Sequence, residues 1–205
     1  MKIKICGITR LQDALLAEAI GCWAAGFIFV EASQRYINPE KACEITNKLS
    51  ENIEKIGVFV NSTFEEVIKI SENSGISKIQ LHGEETPEFC SKISQITGKE
   101  VIKTFRIKSE VDLELINAYK TTVSYILLDT YSEKAYGGTG RTFNWEIAQK
   151  AKFFNLPLIL AGGLNPDNLK TAYKTVKPFA VDLSSGVETS PGIKDSEKIN
   201  LLKKR

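Results

Sequence analysis

From residue 2 onward the chain alternates short apolar runs with longer stretches whose apolar residues recur at helical spacing. Lys2–Cys6 is the first run, rich in β-branched residues, and Leu11–Ile20 follows as a helix that Gly21 stops. Ala24–Phe29 is the second run. Asn38-Pro39 then supplies an N-cap and a proline at the first helical position, which predicts a helix to Leu49 burying Ala42, Ile45 and Leu49. Ile56–Val60 is the third run; Thr63 caps a helix with Phe64, Val67 and Ile68 on one face, ended by Gly75. Ser77–Leu81 is the fourth, and its helix opens at Thr86-Pro87 and closes at Gly98. Val101–Phe105 is the fifth, with a helix through Val111, Leu115 and Tyr119. After the sixth run, Val123–Leu128, come a polar, glycine-rich loop and a helix from about Trp145. Leu156–Leu160 is the seventh, and Asn165-Pro166 caps a helix with Leu169, Ala172, Tyr173 and Val176 at i, i+3, i+4 and i+7. Phe179–Leu183 is the eighth, and Ser196–Lys204 closes the chain as a short helix.

Eight strand–helix units in a row predict a parallel sheet of the α/β class. The runs are apolar throughout, as expected of strands covered on both faces. Eight is the number of units a closed (β/α)8 TIM barrel requires, here a single catalytic domain over residues 1–205. An open doubly wound sheet shares the same alternation. At 205 residues a barrel stands near its lower size limit, so most loops must be short.

Composition narrows the function classes. Hydrophobic residues make up 42%, charged residues 25%, and the formal net charge is +2, a balance that points to neither nucleic acid nor a membrane surface as partner. The apolar stretch around Trp23–Val30 is far shorter than the ~20 residues of a membrane span. The N-terminal MKIKICGIT has no long apolar leader, so a cytoplasmic location is expected. The four cysteines, Cys6, Cys22, Cys43 and Cys90, form no C-x-x-C pair, and the one histidine, His82, cannot build a His/Cys zinc cluster. Neither a metal nor a cofactor is expected.

In a barrel of this kind the chemistry sits at the carboxyl ends of the strands. That rule selects Cys6, Arg35, Asn61, Gln80 with His82, Arg106, Asp129, Gly162-Gly163, and Asp182 with Ser184-Ser185-Gly186. Glycines and serines after the seventh and eighth strands let backbone N–H groups and hydroxyls reach a phosphate; equally, such glycines serve tight βα turns. Asp129 is a general acid at the barrel mouth or a loop cap. Cys6 is a base or nucleophile if its pKa is lowered, or an inert core residue. Arg35, in Ser33-Gln34-Arg35-Tyr36, clamps a carboxylate or is a solvated surface arginine. Cys22, Cys43 and Cys90 are assigned to packing. Tyr136–Arg141, with three glycines but no G-x-G-x-x-G, reads as a lid over the site.

At these positions the chain resembles the phosphoribosylanthranilate isomerase family of tryptophan biosynthesis. The resemblance rests on Lys4-Ile5-Cys6-Gly7-Ile8-Thr9, Gly26–Phe29 with Ser33–Tyr36, Gly57–Asn61, Gln80-Leu81-His82-Gly83, Leu127-Leu128-Asp129 with Gly137–Gly140, Ala161–Pro166 and Val181–Glu188, in the same order along essentially the whole chain. It implies a (β/α)8 barrel and a cofactor-independent Amadori rearrangement of N-(5′-phosphoribosyl)anthranilate to 1-(2-carboxyphenylamino)-1-deoxyribulose 5-phosphate. It implies Cys6 as general base, Asp129 as general acid, Arg35 at the anthranilate, and Gly162, Gly163, Ser184, Ser185 and Gly186 at the phosphate. His82 and Asp182 are implied as further pocket residues. The sequence does not choose between a monomer and a homodimer. Two positions depart from the family's habit: Trp23 stands where an aspartate is common, and Asn144 replaces aspartate in Phe143-Asn144-Trp145. Rival readings are another phosphosugar barrel, such as an epimerase or an indoleglycerol-phosphate synthase, and a phosphate-binding protein without catalysis.

Overall fold

The computed structural model describes residues 1–107, 109–130 and 145–203; the proposed lid, Tyr136–Arg141, lies outside them. All eight apolar runs form strands, with no end shifted by more than two residues: β1 Lys2–Cys6, β2 Ala24–Ile28, β3 Glu54–Phe59, β4 Lys78–Leu81, β5 Glu100–Ile107, β6 Tyr125–Thr130, β7 Leu158–Leu160 and β8 Ala180–Leu183. Each strand pairs in parallel with the next, and β8 pairs back onto β1 with Lys4 opposite Asp182, so the sheet is a closed barrel rather than an open one.

The helices α1 Leu11–Ala19, α2 Pro39–Thr46, α3 Phe64–Asn73, α4 Pro87–Thr97, α5 Trp145–Lys150, α6 Leu169–Val176 and α7 Ser196–Leu202 lie between or after the strands. Their starts are fixed locally. Asn38, Thr63 and Thr86 each accept a hydrogen bond from a backbone N–H of the first turn, and Thr63 forms a reciprocal capping box with Glu66. Two expectations are corrected. The segment after β5 is a 3₁₀ helix over Glu110–Tyr119, whose outer face leaves Val111 and Leu115 exposed. Asn165 caps a turn ahead of α6, accepting from the N–H groups of Asp167 and Asn168, and the helix itself starts at Leu169. A two-stranded hairpin, β9 Glu188–Ser190 and β10 Ile193–Lys194, follows β8 in addition to the predicted elements.

The strand period of two divides each run between two environments. One set, including Ile5, Phe27, Phe59, Leu81, Ile126 and Val181, is buried against the helices. The other set fills the barrel: Ala24, Ile56, Ile102, Leu127, Ile159 and Ala180 form its central layer. Trp23, Tyr125 and Phe179 plug the amino-terminal end, with Trp23 edge-on to Phe179 at 5.2 Å and Lys2 Nζ 4.1 Å from the Phe179 ring centre. Trp23, the departure noted in the sequence, therefore packs at the end of the barrel away from the strand carboxyl ends. Among the described residues no helix is long and apolar enough to cross a membrane.

Candidate active site

The interior set turns polar towards the strand carboxyl ends. Cys6 on β1, Gln80 on β4, His82 just beyond it, Asp129 on β6 and Asp182 on β8 open onto one cavity of about 270 Å³. Arg35, Gly162, Gly163, Ser184 and Ser185 line the same cavity. Gly186 lies behind this wall. A Cβ there would come within 2.0 Å of the Leu164 carbonyl oxygen, so the absence of a side chain lets the loops after β7 and β8 touch. Gly162 and Gly163 both adopt positive φ, 91° and 62°, which turns the chain sharply at the end of β7. Asn61 and Arg106 fall in a neighbouring cavity of about 400 Å³ that shares His82.

Asp129 and His82 face each other, with Oδ2 and Nε2 3.4 Å apart. Gln80 Nε2 lies 3.3 Å from His82 Nδ1 and 3.3 Å from Thr104 Oγ1. The turn carrying His82 is held from below by a buried pair: Lys103 Nζ contacts Glu85 Oε2 at 2.9 Å and donates to the Gly83 carbonyl at 2.6 Å, while Glu85 accepts from the Asn61 and Gly83 N–H groups.

Beneath Cys6, Lys4 is wholly enclosed, and its Nζ contacts Asp182 Oδ2 at 2.6 Å. The other oxygen, Asp182 Oδ1, is buried without a hydrogen-bond partner among the described residues, as is Gln80 Oε1. Burial pushes the Asp182 carboxyl above its ordinary pKa, against the pull of Lys4. Burial also raises the Cys6 thiol, opposed chiefly by the Lys4 ammonium.

The hairpin closes the site on its other flank. Arg35 holds Glu188 through Nε and Nη2, and Lys194 Nζ donates to Glu188 Oε1 at 2.7 Å and to the Cys6 carbonyl at 2.5 Å. Burial by itself would raise the Glu188 carboxyl, but hydrogen bonds from Arg35 and Lys194 hold it below its ordinary value. Glu188, Lys194 and Lys4 were given no role by the sequence reading. Lys4 carried a signal: it is a charged residue in an apolar run, two positions before Cys6 and so on the same face of the strand. Lys194 carried none, because the contact between its hairpin and β1 joins residues 188 apart and has no local signature. Of the residues selected from the sequence, Cys6, Arg35, Gln80, His82, Asp129, Gly162, Gly163, Asp182, Ser184 and Ser185 line the cavity, Gly186 stands behind its wall, and Asn61 and Arg106 line the neighbouring one.

Residues 3–205 match the model of the N-(5′-phosphoribosyl)anthranilate (PRA) isomerase family. An N-(5′-phosphoribosyl)anthranilate isomerase of Geobacter sulfurreducens is 48% identical over 199 residues, covering 97% of this chain and 95% of the relative. The crystal structure of phosphoribosyl anthranilate isomerase from Thermotoga maritima superposes with a TM-score of 0.91 at 42% identity, over 100% of this chain and 97% of that one. A further solved isomerase, in complex with reduced 1-(o-carboxyphenylamino)-1-deoxyribulose 5-phosphate, gives a TM-score of 0.89 at 39% identity, over 100% and 97% of the two chains. With likeness running the whole length of the barrel, the chain belongs to the phosphoribosylanthranilate isomerase family of tryptophan biosynthesis.

Proposed function

We propose that the cavity carries out the Amadori rearrangement of N-(5′-phosphoribosyl)anthranilate with Cys6 as general base and Asp129 as general acid. The observation that carries this reading is that a thiol, a carboxyl, an arginine and two glycine- and serine-bearing loops line one cavity of about 270 Å³. The phosphate lies against Gly162, Gly163, Ser184 and Ser185, with Gly186 keeping the two loops together. Arg35 meets the anthranilate carboxylate, for which a planar guanidinium is well shaped. Gripping both ends fixes the ribose between acid and base.

Asp129 donates a proton to the ring oxygen, the C1′–O bond breaks, and the nitrogen lone pair forms the C1′–N double bond of an iminium. The Cys6 thiolate then takes the C2′ proton. The C–H electron pair becomes the C1′–C2′ double bond, and the C–N π pair returns to nitrogen. The resulting enolamine tautomerises: the C2′ hydroxyl loses its proton, C1′ gains one, and the aminoketose results. The iminium is the electron sink, so this sequence requires no metal or cofactor. His82 Nε2, 3.4 Å from Asp129 Oδ2, packs beside the carboxyl and limits its movement. Asp182 Oδ1, which has no hydrogen-bond partner among the described residues, accepts a hydrogen bond from a ribose hydroxyl. The enzyme works as a monomer or a homodimer in the cytoplasm.

The test is steady-state turnover of Cys6→Ser and Asp129→Asn, followed through the fluorescence of the anthranilate substrate. Each substitution is expected to lower kcat by about 10²–10⁴-fold with the circular dichroism spectrum unchanged. Near-normal turnover by either folded variant would remove its residue from the assigned role.

A further inference from the structure

Lys4 has no part in the scheme above, yet its placement is costly. An ammonium taken wholly out of water loses several kcal/mol of solvation, and an apolar side chain of similar length fills such a space without that cost. Lys4 and Cys6 stand two residues apart on β1, so both side chains enter the barrel from the same strand. Gly26, paired with Cys6 on β2, measures how close they are. A Cβ built on Gly26 would lie 2.9 Å from Cys6 Sγ and 3.2 Å from Lys4 Cε. The thiol sulfur and the end of the lysine chain thus border one niche, which the missing side chain of Gly26 leaves open. On the far side, Asp182 Oδ2 holds the Lys4 ammonium at 2.6 Å.

We propose that Lys4 is a positioning residue that sets the protonation of Cys6: its ammonium, anchored by Asp182 inside the barrel, stabilises the Cys6 thiolate. The proposal rests on the reading of Cys6 as the base and adds how a buried sulfur comes to act as one. The charged groups around Cys6 divide by strand. Lys4 comes from β1 itself, Asp182 from β8, Lys194 from β10, and Arg35 from the loop after β2. Arg35 and Lys194 are both engaged by Glu188, and Lys4 by Asp182, which opposes the thiolate; among the described residues Lys4 is the foremost charge in favour of the thiolate. Asp182 keeps Lys4 charged despite its burial. When the thiolate takes the C2′ proton, its negative charge is neutralised beside Lys4 as the positive charge of the iminium disappears. The net charge of the niche and the substrate together does not change, a condition that favours proton transfer out of contact with water.

The experiment uses the full chain without substrate, with Cys22, Cys43 and Cys90 replaced by alanine so that Cys6 is the one remaining thiol. Thiolate absorbance and the rate of alkylation by iodoacetamide are followed against pH. Lys4→Met is expected to move the Cys6 midpoint upward by about 1–3 pH units, the size expected when a neighbouring opposite charge is lost. The rising limb of kcat/KM against pH is expected to move with it in the otherwise native enzyme. An unchanged midpoint in folded Lys4→Met overturns the proposal. Should Lys4→Met fail to fold because Asp182 is left alone, the comparison passes to Lys4→Met/Asp182→Asn against the chain that keeps both Lys4 and Asp182. A higher midpoint in the double variant supports the proposal, and an equal or lower one overturns it. The two readings fail on different measurements: turnover of Cys6→Ser tests the base, whereas the titration tests its coupling to Lys4.

Discussion

Arg35 and Glu188, 153 residues apart in sequence, meet side by side: Arg35 Nη2 donates to Glu188 Oε2 at 2.7 Å, and Nε donates to Oε1 at 2.9 Å. The loop after β2 is thereby tied to the hairpin after β8 across the carboxyl end of β1. Arg35, which the sequence leaves open as a carboxylate clamp or a solvated arginine, is oriented before any ligand arrives. Preorganisation of this kind reduces the ordering cost of binding.

Glu188→Gln keeps the shape of the acceptor and removes its charge. Hydrogen bonds to charged groups contribute about 1.5–3 kcal/mol each, so partial loss of this pair is expected to raise KM for the anthranilate-bearing substrate by roughly tenfold or more. The reacting atoms are untouched, and kcat is expected to change less than KM. Steady-state kinetics separate the two. An unchanged KM would show that Arg35 does not depend on Glu188 for its place.

Glu188 also gives the fold an acid-sensitive element. Its folded-state pKa lies below the ordinary glutamate value, so the carboxyl stabilises the native chain fully above the unfolded pKa, about 4.3. That contribution is lost as the pH falls through the lower folded value. Thermal unfolding between pH 7 and pH 3 is expected to show a Tm that drops below about pH 4, with a shallower drop in Glu188→Gln. Identical pH dependence in the two proteins would dissociate the Arg35–Glu188–Lys194 cluster from acid stability.

Gly186→Ala addresses the proposed phosphate wall. The added Cβ would sit 2.0 Å from the Leu164 carbonyl oxygen and 2.9 Å from the Asn165 Cβ, and the nearer of these is backbone that has no rotamer to change. The loops after β7 and β8 must separate. KM is expected to rise by about tenfold or more, the consequence of losing about 1.4 kcal/mol of binding, and inhibition by inorganic phosphate is expected to weaken in parallel. Unaltered phosphate inhibition would place the anion elsewhere.

Burial pushes the thiols of Cys22 and Cys90 up to about 12, whereas Cys43 is only partly enclosed. Cys43 is therefore expected to react with iodoacetamide near pH 8 in the native protein, while Cys22 and Cys90 react only after unfolding. The sign of the alkaline effect follows from raised folded values. The stabilisation is complete below the unfolded thiol pKa, about 8.5, and declines as the pH rises towards about 12. Chemical denaturation from pH 8 to pH 10 is expected to show falling stability, less steeply in Cys22→Ala. Equal slopes would assign the decline to other groups.

The sequence alone determined which residues face the inside of the barrel. Eight runs separated by capped helices fix the number of strands, and the period of two assigns Lys4 with Cys6, Gln80 with His82, Leu127 with Asp129, and Asp182 with Ser184 to one face. Helix caps such as Thr63 and Thr86 were legible because their hydrogen bonds span three residues. Local spacing also sufficed for the glycine pair at Gly162-Gly163. The 3₁₀ segment at Glu110–Tyr119 was not legible, because an apolar period near three is hard to tell from one of 3.6 over ten residues.

Only the tertiary structure decided who meets whom. Closure sets β8 beside β1 and brings Lys4 to Asp182 across 178 residues of chain. The hairpin brings Lys194 to the carbonyl of Cys6 across 188. Neither contact has a local signature, since strand periodicity specifies a face and not a partner; the partner follows from register and from the way a sheet of eight strands closes on itself. The charge environment of the thiol depends on those partners, which is why its chemistry is a property of the closed barrel and not of the strand that carries it.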